Sequence, residues 1–357
     1  MTMSRRGFLG AAGGAALAAV APRGVARSTV AAQGELEDTL VFRSWGGALT
    51  DAIQEAWVDP FTAKTGVTVI MDSGDLPDVV IQQQAGNPQL DVVLTSRESL
   101  YWMKDTQSLL EAITPENVPN LADVYDVLRD PLNVSVPCFV GAYGIVYNTN
   151  QVATAPVSWL DLVNEAYAGH IVTGTGADGG WLIAAGFGAA LGVDWMTEMD
   201  PVLDKFRELA PLVLTQYSSA GQMINLLERE DAWIGPWFNG RSWNAIDQGL
   251  PLGFAVPKEG APAIIIDTVI PQGAQHPNAA FAFLDFLLTP QAQADLSRLF
   301  YYAPSNRKAT VDPELAKKMP YGEDAVKQLI VPDWKKLAEV NPTLVEKWNE
   351  IFGMPQE

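Results

Sequence analysis

The sequence predicts an α/β protein of two lobes, each a mostly parallel sheet flanked by helices, with two strands crossing between them. Three observations lead there. Residues 38–96 alternate β-rich and amphipathic segments in the order β-α-β-α-β, which implies a parallel sheet with helices on its faces. A second α/β block follows between about 158 and 250. Two long β-rich runs, near 136–148 and 252–271, sit between the blocks and read as strands passing from one lobe to the other.

Each element has a local reason. "DTLVFRSW" alternates and is β-rich, so it reads as a strand. "ALTDAIQEAWVDPFTAKTG" spaces Ile53, Ala56, Trp57 and Phe61 as a helix face, with Thr50 or Asp51 as N-cap and Gly66 as the stop. "VTVIMDSG" and "LDVVLTS" are the next two strands, separated by a helix in "PDVVIQQQAGNPQ". "NVSVPCFVGAYGIVYNTN" is a strand apolar on both faces. "SWLDLVNEAYAG" reads as a helix capped by Ser158, and "HIVTGTGADGG" as a strand entering a glycine-rich loop. "WLIAAGFGAALG" and "DPVLDKFRELAP" are helices. "DAWIGPWFNGRSWNAIDQG" reads as a strand, an aromatic Gly/Pro turn and a helix. "LGFAVPKEGAPAIIIDTVIP" is the second long β run. "PNAAFAFLDFLLTPQAQADLSRLF" is one long helix or two, and the last helix is "NPTLVEKWNEIFG". No internal repeat or low-complexity segment is evident.

The 357 residues are enough for two cores, and 48% hydrophobic with 18% charged is a globular composition. The net charge of −19 disfavours nucleic acid and anionic membranes as partners. Cys138 is the single cysteine, in an apolar run, so it reads as a buried thiol and no intrachain disulfide forms. The first 32 residues join a basic start to an Ala/Gly/Leu stretch and end in "VAA", the pattern of an export signal. Its apolar stretch is too short for a bilayer of ~30 Å. Arg5-Arg6 before "GFL" looks like a twin-arginine signal, the alternative being an ordinary secretory one. Removing it takes four Arg and no acid, leaving 19 basic and 42 acidic residues, net −23.

The order and spacing of "FRSWGGALTDAIQEAWVDPFTAKTGVTV", "LDVVLTS", "AYGIVYNT", "SWLDLVNEAYAGHI", "PWFNGRS", "AVPKEGAPAIIIDTVIPQGAQHPNAAFAFLDFLLTPQAQADLS" and "YYAPSNRKA" resemble the periplasmic substrate-binding proteins of ABC importers. The resemblance is to the branch of the spermidine/putrescine receptors with their amino-acid-type and ferric relatives, and it covers nearly the whole exported chain. It implies the two-lobed type II binding-protein fold. Lobe 1 would be residues 37–142 with 266–305, lobe 2 residues 143–265, and 306–357 C-terminal helices packed on the lobes. It further implies a monomer without cofactor or catalysis, closing by a hinge and delivering its ligand to an inner-membrane permease.

The same resemblance supplies site residues. Trp45 matches the aromatic that lines the cleft after the first strand, and Gly46 with Gly47 would turn the backbone and leave N–H groups open to a ligand. Trp237 matches the second-lobe Trp, a cation–π platform. Asp267 matches the Asp that holds a ligand amine, its alternative being a salt bridge to a protein Lys or Arg, although the aromatic found two residues earlier in polyamine receptors is Ile265 here. Ser96 is a ligand hydroxyl, and Arg97 a second carboxylate partner or a surface residue. Asn239 either bonds the ligand or holds its turn. Tyr143 and Trp181 each face the cleft or a core. Trp233 and Trp243 read as core.

Arg241 suits a ligand carboxylate, its alternative being a protein acid such as Asp267. With Asp267 it makes a cation site and an anion site in one cleft. Lobe 2 offers only Asp178 in "TGTGADGGW", too few acids for a di- or tri-cation. The expected ligand is therefore a small amine-bearing zwitterion of the 4-aminobutyrate type, with a polyamine as the alternative.

Two other classes fit less well. Tyr301-Tyr302 suggests ferric ion, but the pair lies in the C-terminal segment, and His170 and His276 are isolated. For an enzyme, the chain shows no nucleophile elbow, phosphate loop or HExxH, and "TGTGADGG" lacks the GxGxxG spacing.

Overall fold

A computed structural model describes residues 34–353 except 75–78, 80–81, 84–85 and 104–105. The export signal lies outside the described residues, as does much of the helix expected over 77–89. Ten strands form: β1 Thr39–Ser44, β2 Thr68–Ser73, β3 Val92–Ser96, β4 Ser135–Asn148, β5 Ile171–Thr173, β6 Val213–Gln216, β7 Ile234–Phe238, β8 Leu252–Ala255, β9 Ala263–Val269 and β10 Ala303–Pro304. Their main order is β2-β1-β3-β9-β4-β7-β5-β6. β1 is parallel to β2 and β3, and β5 is parallel to β6 and β7. The α/β architecture is the one expected, with parallel strands in each half and antiparallel pairings where β4 and β9 join them.

β4 joins the two halves. Its residues 135–142 pair antiparallel with β9, and its residues 143–148 pair antiparallel with β7 and β8. One strand therefore belongs to both halves, and the backbone around Ala142 is where they meet. The second β run is broken rather than continuous. Residues 256–262, "VPKEGAP", leave the sheet because two prolines lack the N–H a ladder needs and Gly260 sits at φ +100°.

Helices fill the faces. α1 Gly47–Ile53 runs through a π-helical turn, Gln54–Val58, into α2 Asp59–Thr65, which Gly66 ends at φ +81°. Trp57 on this segment is buried, its indole N–H donating to the Ala292 carbonyl at 3.0 Å. α3 is Arg97–Trp102, α4 Trp181–Leu191, α5 Asp200–Leu209, α6 Ala220–Glu228 and α7 Asn239–Asp247. Residues 277–300 make two helices, α8 Pro277–Leu287 and α9 Pro290–Phe300, because the Thr289 hydroxyl accepts from the Ala292 N–H and Pro290 opens a new first turn. The last helix, α10 Trp334–Phe352, begins earlier than expected, capped by Asp333 and carrying Pro342 inside.

Two local expectations need correcting. Ser158 does cap, in a capping box with Asp161, but the segment it caps is a 3₁₀ turn, Trp159–Val163, rather than an α-helix. Asn164 ends it by accepting from the Ala166 N–H and starting another. Gly235-Pro236 makes no turn and lies within β7. A side chain at Gly235 would put Cβ 2.2 Å from the Val172 carbonyl oxygen, so glycine lets β7 pack close to β5.

Candidate functional site

The parallel strands of the two halves end towards each other. β1 and β3 end at Ser44 and Ser96, and Ser96 pairs with Ile266 of β9. β5, β6 and β7 end at Thr173, Gln216 and Phe238, and Phe238 pairs with Tyr143 of β4. Ile266 in turn pairs with Phe139, four residues from Tyr143 along β4. Both sets of carboxyl ends thus converge on the middle of β4, where an open α/β sheet binds ligands. α10 packs against α3 on one side and against Gly176–Gly180 and α5 on the other, so it spans this cleft. Trp334 meets Tyr101 at 6.5 Å and Trp181 edge-on at 5.9 Å.

In the first half, Trp45 stands 39% exposed, followed by Gly46 at φ +84° and Gly47 at φ +65°. These two left-handed residues carry the chain straight into α1. The helix starts at Gly47, ahead of the expected caps, and the Thr50 hydroxyl reaches back to accept the Gly46 N–H at 2.9 Å. That N–H is consequently engaged within the protein. Ser96 is half-buried, and its hydroxyl lies 2.8 Å from that of Ser99.

Asp267 is fully buried and committed. Arg97, expected nearer the surface, is also fully buried and binds it through two bonds of 2.6 and 2.8 Å. The Ser135 hydroxyl donates to the same carboxylate at 3.1 Å. The remaining guanidinium donors reach the carbonyls of Leu128 and Arg129. Burial raises the Asp267 pKa from its ordinary value, and Arg97 pulls it back. Burial opposes the Arg97 charge too, but Asp267 holds the guanidinium above its ordinary value. The fork-to-carboxylate geometry is that of an ionised pair. The carboxylate expected to face a ligand amine has a protein cation instead.

Glu98, the next residue on α3, drew no attention in the sequence. It is half-buried, with no ion pair among the described residues. Burial pushes its pKa up to about 7, against the pull of its own backbone N–H, Ser96 and Arg97.

In the second half, Trp237 is fully buried in a core with Val146, Val172, Met223 and Leu227, so it offers no face to a ligand. Alternation decides this: the side chain of Trp237 points into the sheet's covered face, and that of Phe238 to the other. The Arg241 guanidinium lies over the Phe238 ring at 5.4 Å. Arg241 is exposed and has no carboxylate partner among the described residues. Trp233 and Trp243, expected as core, are half-buried surface rings, one stacked on His170 at 3.7 Å and the other beneath Lys318. Asn239 is buried and holds its turn: its carbonyl accepts the Ala142 N–H, and its amide donates to Tyr301 and Lys318 carbonyls. Trp181 is buried against Trp334, the core option of its two readings.

Tyr143 is divided. Its ring is buried between Trp159, nearly parallel at 6.3 Å, and Phe238, edge-on at 5.1 Å. Its hydroxyl interacts with that of Tyr217, while the Thr173 hydroxyl at the end of β5 has no hydrogen-bond partner among the described residues. Tyr217, just past β6 and unnoticed in the sequence, lies close enough to perturb Tyr143, and burial pushes its pKa up to about 12. Glycines 174 and 179 make room, since a Cβ there would come within 3.2 and 3.0 Å of the Tyr217 and Tyr143 hydroxyls. The buried Thr173 hydroxyl beside this glycine-lined turn is a donor without an acceptor among the described residues.

The two tyrosines 301 and 302 do not converge on a metal. Tyr302 stacks on Phe139 at 5.0 Å, and the Tyr301 hydroxyl bonds Asp247. Among the described residues no group of three His, Cys, Asp or Glu could hold a metal ion. Cys138 is buried and bonds the Ile266 carbonyl, its pKa raised well above the ordinary value by burial. No helix of the described residues is long and apolar enough to cross a membrane.

Comparison with known proteins places the chain in a family. Residues 75–340 match the family described as bacterial extracellular solute-binding protein. The chain is 27% identical over 321 residues to the putrescine-binding periplasmic protein PotF of Escherichia coli (strain K12), covering 82% of this chain and 84% of that one. It is 26% identical over 310 residues to spermidine/putrescine-binding periplasmic protein 1 of Haemophilus influenzae, covering 83% of each. An ABC transporter substrate-binding protein from Bradyrhizobium japonicum USDA 110 shares the fold with a TM-score of 0.78 at 22% identity, over 88% of this chain and 99% of that one. The chain belongs to the bacterial extracellular solute-binding proteins, receptors that hand small molecules to ABC importers.

Proposed function

We propose that this receptor captures a small amino-acid-like zwitterion, of the 4-aminobutyrate type, and delivers it to an inner-membrane ABC permease. One observation carries the reading: Arg241 stands exposed at the end of β7 with no protein carboxylate among the described residues, while Asp267 is taken up by Arg97. An uncommitted guanidinium at a cleft favours a ligand carboxylate, which a polyamine lacks. The unpartnered Thr173 hydroxyl adds a donor for an anionic group in the same half. Trp45 and Ser96 wait in the other half, and closure about the middle of β4 brings the two together. The lobes in this reading are residues 37–142 with 266–305, and 143–265.

The relatives named for putrescine and spermidine make a polyamine the second reading. Export through the Arg5-Arg6 signal belongs to the proposal, and replacing both arginines by Lys is expected to keep the protein out of the periplasm. The receptor acts as a monomer and returns its ligand chemically unchanged.

Thermal denaturation against 4-aminobutyrate, putrescine, spermidine and ferric citrate tests the ligand class. A ligand at 100 times its Kd adds about 2.7 kcal/mol, a rise of about 5 °C for a chain of this size. A shift with 4-aminobutyrate supports the zwitterion. A shift with polyamines alone would return Arg241 to a structural role, and silence across the panel would sink the amine class.

A further inference from the structure

We infer that Glu98 is the carboxylate that takes the ligand's ammonium, in the role expected of Asp267. The inference rests on the amine reading above and deepens it. Three observations carry it. The first is position: Glu98 lies in the first turn of α3, directly past the end of β3, beside Ser96 and Ser99, whose hydroxyls already meet at 2.8 Å.

The second is charge balance. The Glu98 carboxylate is bonded by its own backbone N–H and the Ser96 hydroxyl, and the charged groups that act on it are Asp267 on β9 and Arg97 on its own helix. Those two neutralise each other through their double bond, and Asp130, which also acts on the pair, is held by the N–H groups of Leu132 and Val134. α10 brings Trp334 against Tyr101 but no cation that pairs with Glu98 among the described residues. The negative charge of Glu98 is thus left over at the cleft end of this half. The third is exposure: Glu98 is half-buried, so its charge has two hydrogen bonds but no cation in place of water, and burial raises its pKa to about 7. An ammonium supplies the missing cation.

The other unpaired acid near the cleft, Asp178, is exposed and bonds the Thr175 hydroxyl, so water already satisfies it. With Arg241 in the opposite half, Glu98 completes a two-ended site, amine to α3 and carboxylate to α7.

Titration calorimetry of the full exported protein with 4-aminobutyrate, butyrate, putrescine and spermidine, on wild type, Glu98→Gln and Glu98→Asp, decides the matter. Wild type is expected to bind 4-aminobutyrate and not butyrate. E98Q, close in shape, should lose about 10- to 100-fold in affinity, and E98D should recover part of it. The pH profile excludes a merely structural role. Wild-type affinity should rise between pH 5.5 and 8 as Glu98 ionises, and E98Q should be flat, since neither group of 4-aminobutyrate titrates there. An E98Q protein that binds 4-aminobutyrate as tightly as wild type, with the same pH profile, overturns the assignment and leaves the amine reading intact. A wild type that binds no amine of the panel overturns both.

Discussion

Two sets of arginine and carboxylate lie about the β4 junction, one closed within the first half and one divided between the halves, and they have opposite fates. Arg97 and Asp267 sit in the first half with side chains 1% and 0% exposed, joined by two short bonds. Arg241 stands open in the second half with no acid among the described residues, and Glu98 half-buried in the first with no base. The first pair satisfies itself and is removed from water, so it is structure. The second set is incomplete within the protein, and it is the set proposed to meet the ligand. Residue type does not separate the two cases; partnership does.

The comparison breaks most visibly at the buried pair. Arg97→Ala leaves the Asp267 carboxylate without a cation in the interior, and the expected loss is about 3–5 kcal/mol by urea unfolding. A variant as stable as wild type would mean that water reaches Asp267, and the distinction between closed and open sites would fail.

The tryptophans offer the same contrast at somewhat smaller scale. Trp237→Ala opens a cavity in the second core and should cost about 3 kcal/mol, at the low end of the range for large aromatics because its indole N–H has no partner. Trp45→Ala removes an exposed ring and should leave stability within about 0.5 kcal/mol, while weakening ligand binding. If Trp45→Ala proved the more destabilising of the two, Trp45 would be packed rather than waiting.

A third effect turns on pH. The Glu98 carboxyl lies near 7 in the folded protein against an ordinary value of 4.5. A raised carboxyl favours folding below its ordinary value, and that contribution is lost as pH rises through the folded value. Replacement by Gln removes the loss, so Glu98→Gln should be more stable than wild type at pH 8 and equal to it at pH 4. Equal unfolding midpoints at both pH values would show that the charge of Glu98 is already balanced. Smallest of all in stability is Arg241→Ala, within about 0.5 kcal/mol, yet it should lower 4-aminobutyrate affinity at least about tenfold. Unchanged affinity would remove the anion end of the site.

Much of this fold was legible in residue patterns. The alternation in Thr39–Ser44 and the apolar Val92–Ser96 are strands because β-branched and aromatic side chains suit a covered sheet. Gly66 and Gly192 end helices in the left-handed conformation, as glycines after an apolar stripe should. The site was legible only in outline. Trp45, singled out by the resemblance, and Arg241, singled out at the mouth of a helix, both stand exposed. Glu98 was missed because a half-buried acid on a short helix has the same local sequence as a solvated one. Trp237 was misread because the register that turns Trp237 inward and Phe238 outward is set by pairing with β4, one residue's difference in phase.

The sequence by itself determined the α/β class, the strand that belongs to both halves, and the residue types gathered at the strand ends. These follow from periodicity and turn chemistry, which act over a few residues. The tertiary structure alone decided which charges were paired. Arg97 and Asp267 are separated by 170 positions, and only the antiparallel seating of β9 beside β3 brings them within 2.6 Å. Coulomb attraction and desolvation depend on distance and burial, which no local pattern encodes.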